Sequence, residues 1–175
     1  MPVTTTPHVM TRVDVPTAIP YDEFRTAFER AAPRFDPTAF QRIADSGGSW
    51  ADVEQAVAAM APHQLMVYAD VDATDLLALA GHRTKAVEYL LGNHVIAESM
   101  FRHDPHTLLY APLRVLVYSD SHGDAVWSMD RPSDAFASLD SDEITTVGLG
   151  LDAKVAALLR AIGVDADAGF VTQSA

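Results

Sequence analysis

The chain of 175 residues contains no cysteine, which excludes disulfide bonds, thiolate metal ligands and a cysteine nucleophile. A metal ion would therefore need His, Asp, Glu, Tyr or Met ligands. Basic residues are also scarce, because 12 Lys and Arg stand against 24 Asp and Glu and give a net charge of −12. A negative field opposes the counterion release that drives nucleic-acid binding, and it repels anionic membrane surfaces. We expect an acidic protein with no nucleic-acid and no membrane partner.

Long apolar runs are absent as well. No stretch of about 18 apolar residues occurs, so the sequence predicts no membrane span. Residues 1–7 lack the basic segment and apolar block of a secretory signal, and we expect a cytoplasmic location. The length suits one domain with a sizeable core.

The patterns that are present mix strands with helices. Alternating apolar residues and β-rich runs predict strands at 8–15, 64–71 and 85–91, and a hairpin formed by 113–118 and 125–129. Apolar stripes and capping residues predict helices at 21–31, 38–45, 50–60, 74–80, 94–102 and 134–139, and a last helix after Ser141. Because the clearest neighbouring strands form an antiparallel hairpin, the pattern favours an α+β fold over a doubly wound parallel sheet.

Four segments occur in a characteristic order: residues 89–93 (YLLGN), 109–118 (LYAPLRVLVY), 130–133 (DRPS) and 151–154 (LDAK). Together they resemble the DUF302 domain family, over roughly residues 64–163. The resemblance implies a TBP-like α+β fold, in which helices pack on one face of a curved, mostly antiparallel sheet. It also implies a homodimer, and it carries no catalytic residues over to this chain. His94 stands where the family usually has a proline.

The expected organisation is a single domain over residues 1–175 with a core of about 8–163. A helical insertion is expected near 36–61, because this stretch is longer than a minimal domain of the family needs. Residues 164–175 are small or polar and predict a flexible tail.

The junction between the strand at 85–91 and the next helix is the first candidate site. Backbone amides at a helix N-terminus can hold an anion, and His94 beside them is a candidate catalytic acid or base. Asn93 is a candidate ligand-binding residue at the same place. The alternative is a turn in which Gly92 supplies a positive φ and Asn93 caps the helix.

The hairpin region supplies four more candidate ligand-binding residues, which are Tyr110, Arg114, Tyr118 and Arg131. Arg114, Leu116 and Tyr118 share one face of a strand. If helices cover that face, its Arg and Tyr side chains line a pocket for an apolar ligand with an acidic end. The alternative is an exposed sheet face or a dimer contact.

His94, His103 and His106 are candidate metal ligands, because neutral imidazoles bind zinc, copper, nickel or haem iron. Pro105 breaks a common helical face for the last two, and no H-E-x-x-H framework occurs. The alternative is a solvated histidine at a helix end. The sequence leaves the cofactor unknown, with haem or a His-ligated metal as the candidates.

Residues 148–153 (GLGLDA) match the G-x-G-x-x-A pattern of a dinucleotide-binding turn. That turn needs a following helix, a second strand and an acidic residue about 20 residues later. Too few residues follow for the rest of that unit. We therefore expect these glycines to allow close helix packing instead.

Three functional hypotheses follow from the sequence. The first is a small-molecule-binding domain whose pocket lies between the sheet and its helices. The second is an enzyme that uses His94 and nearby polar groups for acid–base, haem-assisted or metal-assisted chemistry. The third is a dimeric interaction module.

Overall fold

The structure, a computed structural model, describes residues 2–170 of the chain. Within that range the chain forms five strands: β1 (Arg12–Pro20), β2 (Met66–Asp72), β3 (Ala86–Gly92), β4 (Leu113–Ser119) and β5 (Asp124–Asp130). The same range forms eight α-helices: α1 (Tyr21–Ala31), α2 (Pro37–Asp45), α3 (Trp50–Met60), α4 (Thr74–Ala78), α5 (His94–Phe101), α6 (Pro132–Ala137), α7 (Asp142–Ala161) and α8 (Asp167–Phe170). A 3-10 helix at Pro105–Leu109 follows α5.

The five strands form one open sheet in the order β1-β5-β4-β3-β2, and each neighbouring pair is antiparallel. β4 and β5 form the hairpin that the sequence predicts, with Val117 opposite Trp127. An antiparallel sheet combined with helices confirms the α+β fold class. No helix within residues 2–170 is long and apolar enough to cross a membrane.

Helices cover one face of this sheet. Val115 and Val117 of β4 are fully buried and belong to the same apolar cluster as Phe24 of α1 and several residues of α7. Burial of apolar surface between these layers is the main favourable contribution to folding. Arg114 and Leu116 point to the opposite face of β4, where both are exposed.

The helices predicted at 38–45 and 50–60 form as α2 and α3, and their caps are those expected from the sequence. The Asp36 carboxylate accepts a hydrogen bond at the N-terminus of α2, and Pro37 occupies the first turn. Ser49 and Asp52 form a capping box on α3. Both helices contribute to a second, smaller apolar cluster with Met66 at the start of β2.

β1 begins four residues later than the predicted strand at 8–15 and continues to Pro20. Its pairing with β5 begins at Arg12, so the preceding residues have no strand partner in β5. Both Pro16 and Pro20 belong to β1. Proline is tolerated there because β1 is an edge strand. The register with β5 shifts between Pro16 and Pro20, and Ala18 in this interval adopts a positive φ of 54°.

The C-terminal segment packs against the sheet where the sequence predicted a flexible tail from residue 164. Val164, Ala166 and Phe170 are buried, and α8 contacts β1. The Phe170 ring meets Trp127 edge to face at a centroid distance of 6.1 Å. Residues 171–175 of the predicted tail lie outside the described residues.

The glycines of the G-x-G-x-x-A pattern lie inside α7 and form no turn. A Cβ atom on Gly148 would lie 3.0 Å from Cβ of Phe136 and 3.2 Å from Cα of Ser133. Gly148 therefore allows α6 and α7 to approach closely. Gly150 has no such neighbour within 4 Å.

Candidate functional site

A cavity of about 350 Å³ lies where the ends of β3 and β4 meet α5. Apolar residues form most of its wall: Leu91, Ile96, Ala97, Met100, Leu108, Ala111, Pro112, Leu113 and Leu151. Its polar side chains are those of Tyr68, Asn93 and His94. No Lys, Arg, Asp or Glu from residues 2–170 lines it. This size and composition fall within the range of small-molecule sites, at its lower end.

An irregularity in β2 directs Tyr68 toward this cavity. The register between β2 and β3 shifts between Val67 and Ala69, so Tyr68 is the extra residue of a β-bulge. Bulges change the direction of a side chain relative to a regular strand. The Tyr68 hydroxyl oxygen lies 2.5 Å from Nδ1 of His94, the first residue of α5.

Gly92 provides the space that the Tyr68 ring occupies. A Cβ atom at position 92 would lie 2.9 Å from Cε2 of Tyr68 and 3.4 Å from Cβ of Pro112. The φ of Gly92 is not positive, so the turn interpretation is wrong about the role of this glycine. Glycine serves here to permit the close approach of the Tyr68 ring.

His94 is enclosed by aromatic rings. Its ring centroid lies 4.9 Å from that of Phe35 and 5.5 Å from that of Phe40. Burial lowers the pKa of the His94 imidazole below its ordinary value of 6.5 and raises the pKa of the Tyr68 phenol. Both groups are therefore predominantly neutral at about pH 7. The short hydrogen bond joins two uncharged side chains.

Asn93 caps α5, as the alternative interpretation of the sequence holds. Its Oδ1 accepts hydrogen bonds from the backbone N–H groups of Val95 at 2.8 Å and Ile96 at 3.2 Å. Its Nδ2 donates to the backbone oxygen of Gln64 at 2.8 Å. Because Oδ1 occupies amides that an anion would use, this helix N-terminus has little capacity left for an anionic ligand.

Arg114 and Tyr118 lie on the uncovered face of β4, so the two do not share one pocket beneath the helices that cover the sheet. The β-branched residues Val115 and Val117 turn toward the helices, which leaves Arg114 and Leu116 on the other side. A shared pocket would need helices over the face of Arg114 and Tyr118, and the helices cover the other face. Arg114 lines a separate space of about 410 Å³ with Tyr110, near the 3-10 helix and α6, and Tyr118 borders another space beside the β4–β5 loop.

Tyr110 and Arg131 also lie outside the cavity. Tyr110 packs against the edge of the main apolar cluster, and Arg131 forms an ion pair with Asp134 at 2.8 Å. Of the six ligand-binding residues predicted from the sequence, only Asn93 and His94 line the cavity.

The three candidate metal ligands do not come together. Nδ1 of His106 lies 2.7 Å from the carboxylate of Asp104, and His94 bonds to Tyr68. In the part of the chain that the structure describes, no group of three or more His, Cys, Asp or Glu side chains is placed to hold a metal ion.

The sequence reasoning missed Tyr68, the partner of His94. The signal available was weak: a tyrosine within an apolar strand pattern is an ordinary β-sheet residue. Pairing of β2 with β3 creates the bulge that gives Tyr68 its direction. That pairing joins residues distant in sequence and leaves no local signature.

The open five-stranded antiparallel sheet, helices on one of its faces and a neutral apolar cavity at one end define a small α+β domain. The model of the family described as "Domain of unknown function DUF302" matches residues 45–162, and the chain belongs to this family. The chain is similar to the crystal structure of an uncharacterized conserved DUF302 protein from Bacillus stearothermophilus, with a TM-score of 0.58 and 15% sequence identity. That similarity covers 87% of this chain and 97% of the other. No curated protein matches the sequence.

Proposed function

We propose that this domain binds a small, mostly apolar molecule in the cavity beside His94. The composition of the cavity wall carries the proposal: apolar side chains surround one hydrogen-bonded polar pair, Tyr68 and His94. Sites for small ligands typically combine such an apolar wall with a few convergent polar groups. A ligand that fills the space gains from leaving water and from dispersion contacts with the wall.

The uncharged fluorescent probe N-phenyl-1-naphthylamine, which brightens when it leaves water, tests this proposal. We expect it to bind the wild-type protein and not the Ala97→Phe variant, because a phenylalanine at this position of α5 occupies part of the cavity and leaves too little space for the probe. Ala153→Phe is the matched control, since Ala153 is exposed on α7. Circular dichroism verifies that both variants fold. Absence of binding to the wild type, or equal binding to the wild type and Ala97→Phe, contradicts the proposal.

A second candidate function is acid–base catalysis on the bound molecule. The observation that favours it is the 2.5 Å contact between the Tyr68 hydroxyl and Nδ1 of a neutral His94, because a neutral imidazole can accept a proton at about pH 7. To distinguish the two functions, a compound that binds in the cavity is incubated with the protein, recovered and measured by mass spectrometry. An unchanged compound supports binding alone. A product that His94→Gln no longer forms supports catalysis.

A homodimer through the uncovered sheet face is a separate proposal about partners. This face carries Arg12 and Arg114 beside Glu88 and Asp130, around the exposed Leu116. A second copy related by a two-fold axis can place its acidic groups on these arginines, which is the self-complementarity that an isologous dimer needs.

Light scattering after size-exclusion chromatography measures the mass in solution. We expect a dimer for the wild type and a monomer for Leu116→Arg. Leu149→Arg is the control, because Leu149 is exposed to a similar degree but lies on α7. A monomeric wild type, or a Leu116→Arg variant that stays dimeric, contradicts this interface.

A further inference from the structure

Building on the proposed binding function, we infer that the cavity selects an uncharged ligand with a hydroxyl or carbonyl oxygen. The Tyr68–His94 pair holds that oxygen, and the apolar wall holds the rest of the molecule. Carboxylates and ammonium ions are excluded by the same wall.

The exclusion of charged ligands follows from what surrounds the space. No charged side chain of the described residues lines the cavity, so neither an anion nor a cation finds a counter-charge. The amides of Val95 and Ile96 at the start of α5 are already bonded to Asn93. A charge buried without a partner is costly, so a charged ligand loses more on leaving water than it gains in the cavity.

The selection of a ligand oxygen follows from the hydrogen-bonding capacity of the pair, and it does not depend on the tautomer of His94. If the Tyr68 phenol donates to Nδ1, the Nε2–H group is a free donor and the phenol oxygen is a free acceptor. If Nδ1–H donates to the phenol oxygen, the phenol O–H is the donor and Nε2 is the acceptor. Each arrangement offers one donor and one acceptor. The donor and the acceptor lie on opposite sides of the imidazole ring, so a hydroxyl can use either one and a carbonyl can use the donor.

The pair is held in place before any ligand arrives. The bulge in β2 directs the Tyr68 ring into the space that Gly92 leaves, and Phe35 packs against this ring at a centroid distance of 4.9 Å. Phe35 and Phe40 also pack against His94. A ligand therefore meets polar atoms that are already oriented. Such preorganisation reduces the entropy lost on binding.

Three eight-carbon compounds that differ only in the head group test the inference by calorimetry: octan-1-ol, octanoate and octylammonium. We expect octan-1-ol to bind at least about tenfold more tightly than either ion, because a buried charge without a partner is costly. Tyr68→Phe removes the hydroxyl and is expected to weaken octan-1-ol binding about three- to tenfold. The Tyr118→Phe control lies outside the cavity and should bind like the wild type.

The outcomes separate this inference from the function on which it rests. Octanoate or octylammonium binding as tightly as octan-1-ol overturns the selection of an uncharged ligand and leaves small-molecule binding in place. Full octan-1-ol affinity in Tyr68→Phe overturns the role of the pair. If none of the three compounds and no N-phenyl-1-naphthylamine binds the wild type, both the inference and the proposed function fail.

Discussion

Two glycines in α7, Gly148 and Gly150, are expected to respond in opposite directions to the same substitution. Both lie inside the helix, where replacing Gly with Ala improves helix propensity by about 0.8–1 kcal/mol. A Cβ on Gly150 meets nothing within 4 Å, so Gly150→Ala keeps this gain. We expect it to stabilise the protein by about 1 kcal/mol.

Gly148→Ala adds a clash to the same gain. Its new Cβ lies 3.0 Å from Cβ of Phe136 and 3.2 Å from Cα of Ser133. Neither atom is the far end of a flexible side chain, so α6 has to move as a unit. Overpacking of this kind costs about 1–3 kcal/mol, which outweighs the helix gain and leaves a net loss of about 1 kcal/mol.

Urea unfolding and thermal melting of both variants measure the difference directly. For a chain of this size, 1 kcal/mol corresponds to about 2–4 °C in Tm. The two variants should therefore differ by about 4–8 °C, with Gly150→Ala above the wild type and Gly148→Ala below it. Equal stabilisation by both substitutions would refute the close packing of α6 on α7.

Three further predictions concern stability. Asp152→Ala removes the acceptor for the buried Ser133 N–H at 3.0 Å and should lower the free energy of unfolding in urea by about 1–3 kcal/mol. Asp152→Asn retains an acceptor oxygen and should lower it less, so equal losses in the two variants contradict this role. Ser49→Ala removes the cap of α3 and should cost about 1 kcal/mol, and an unchanged unfolding midpoint contradicts it. Burial makes the pKa of His94 lower in the folded than in the unfolded state, so its contribution to stability is present above about pH 6.5 and is lost as the pH falls. The Tm of His94→Gln should therefore vary less between about pH 7 and 5 than the Tm of the wild type, and identical profiles contradict this.

The sequence predicts the features that are set by neighbouring residues. Asp36 followed by Pro37, and Ser49 three residues before Asp52, mark the starts of α2 and α3, because caps act within one helical turn. The glycine-containing loop between β4 and β5 marks the hairpin for the same reason. The family resemblance predicted the arrangement of sheet and helices, whereas local patterns alone predicted only the α+β class.

The features missed by sequence reasoning depend on contacts between distant residues. Alternation in β4 separates Arg114 from Val115 but does not say which side the helices cover. The prolines of β1 are acceptable only because that strand lies at the sheet edge. His94 was identifiable from its place at a strand–helix junction, whereas its partner Tyr68 is directed by a bulge that arises from pairing with β3.

The location of a bound octan-1-ol molecule tests the account most directly. A methyl NMR titration reports on Ile96, Met100 and Leu113 in the cavity wall and on Leu116 on the uncovered sheet face. We predict that the three cavity signals shift together with a single Kd, while the Leu116 signals stay in place. Shifts at Leu116 with unmoved cavity signals, or no shifts at any of these residues, would contradict a binding site beside Tyr68 and His94.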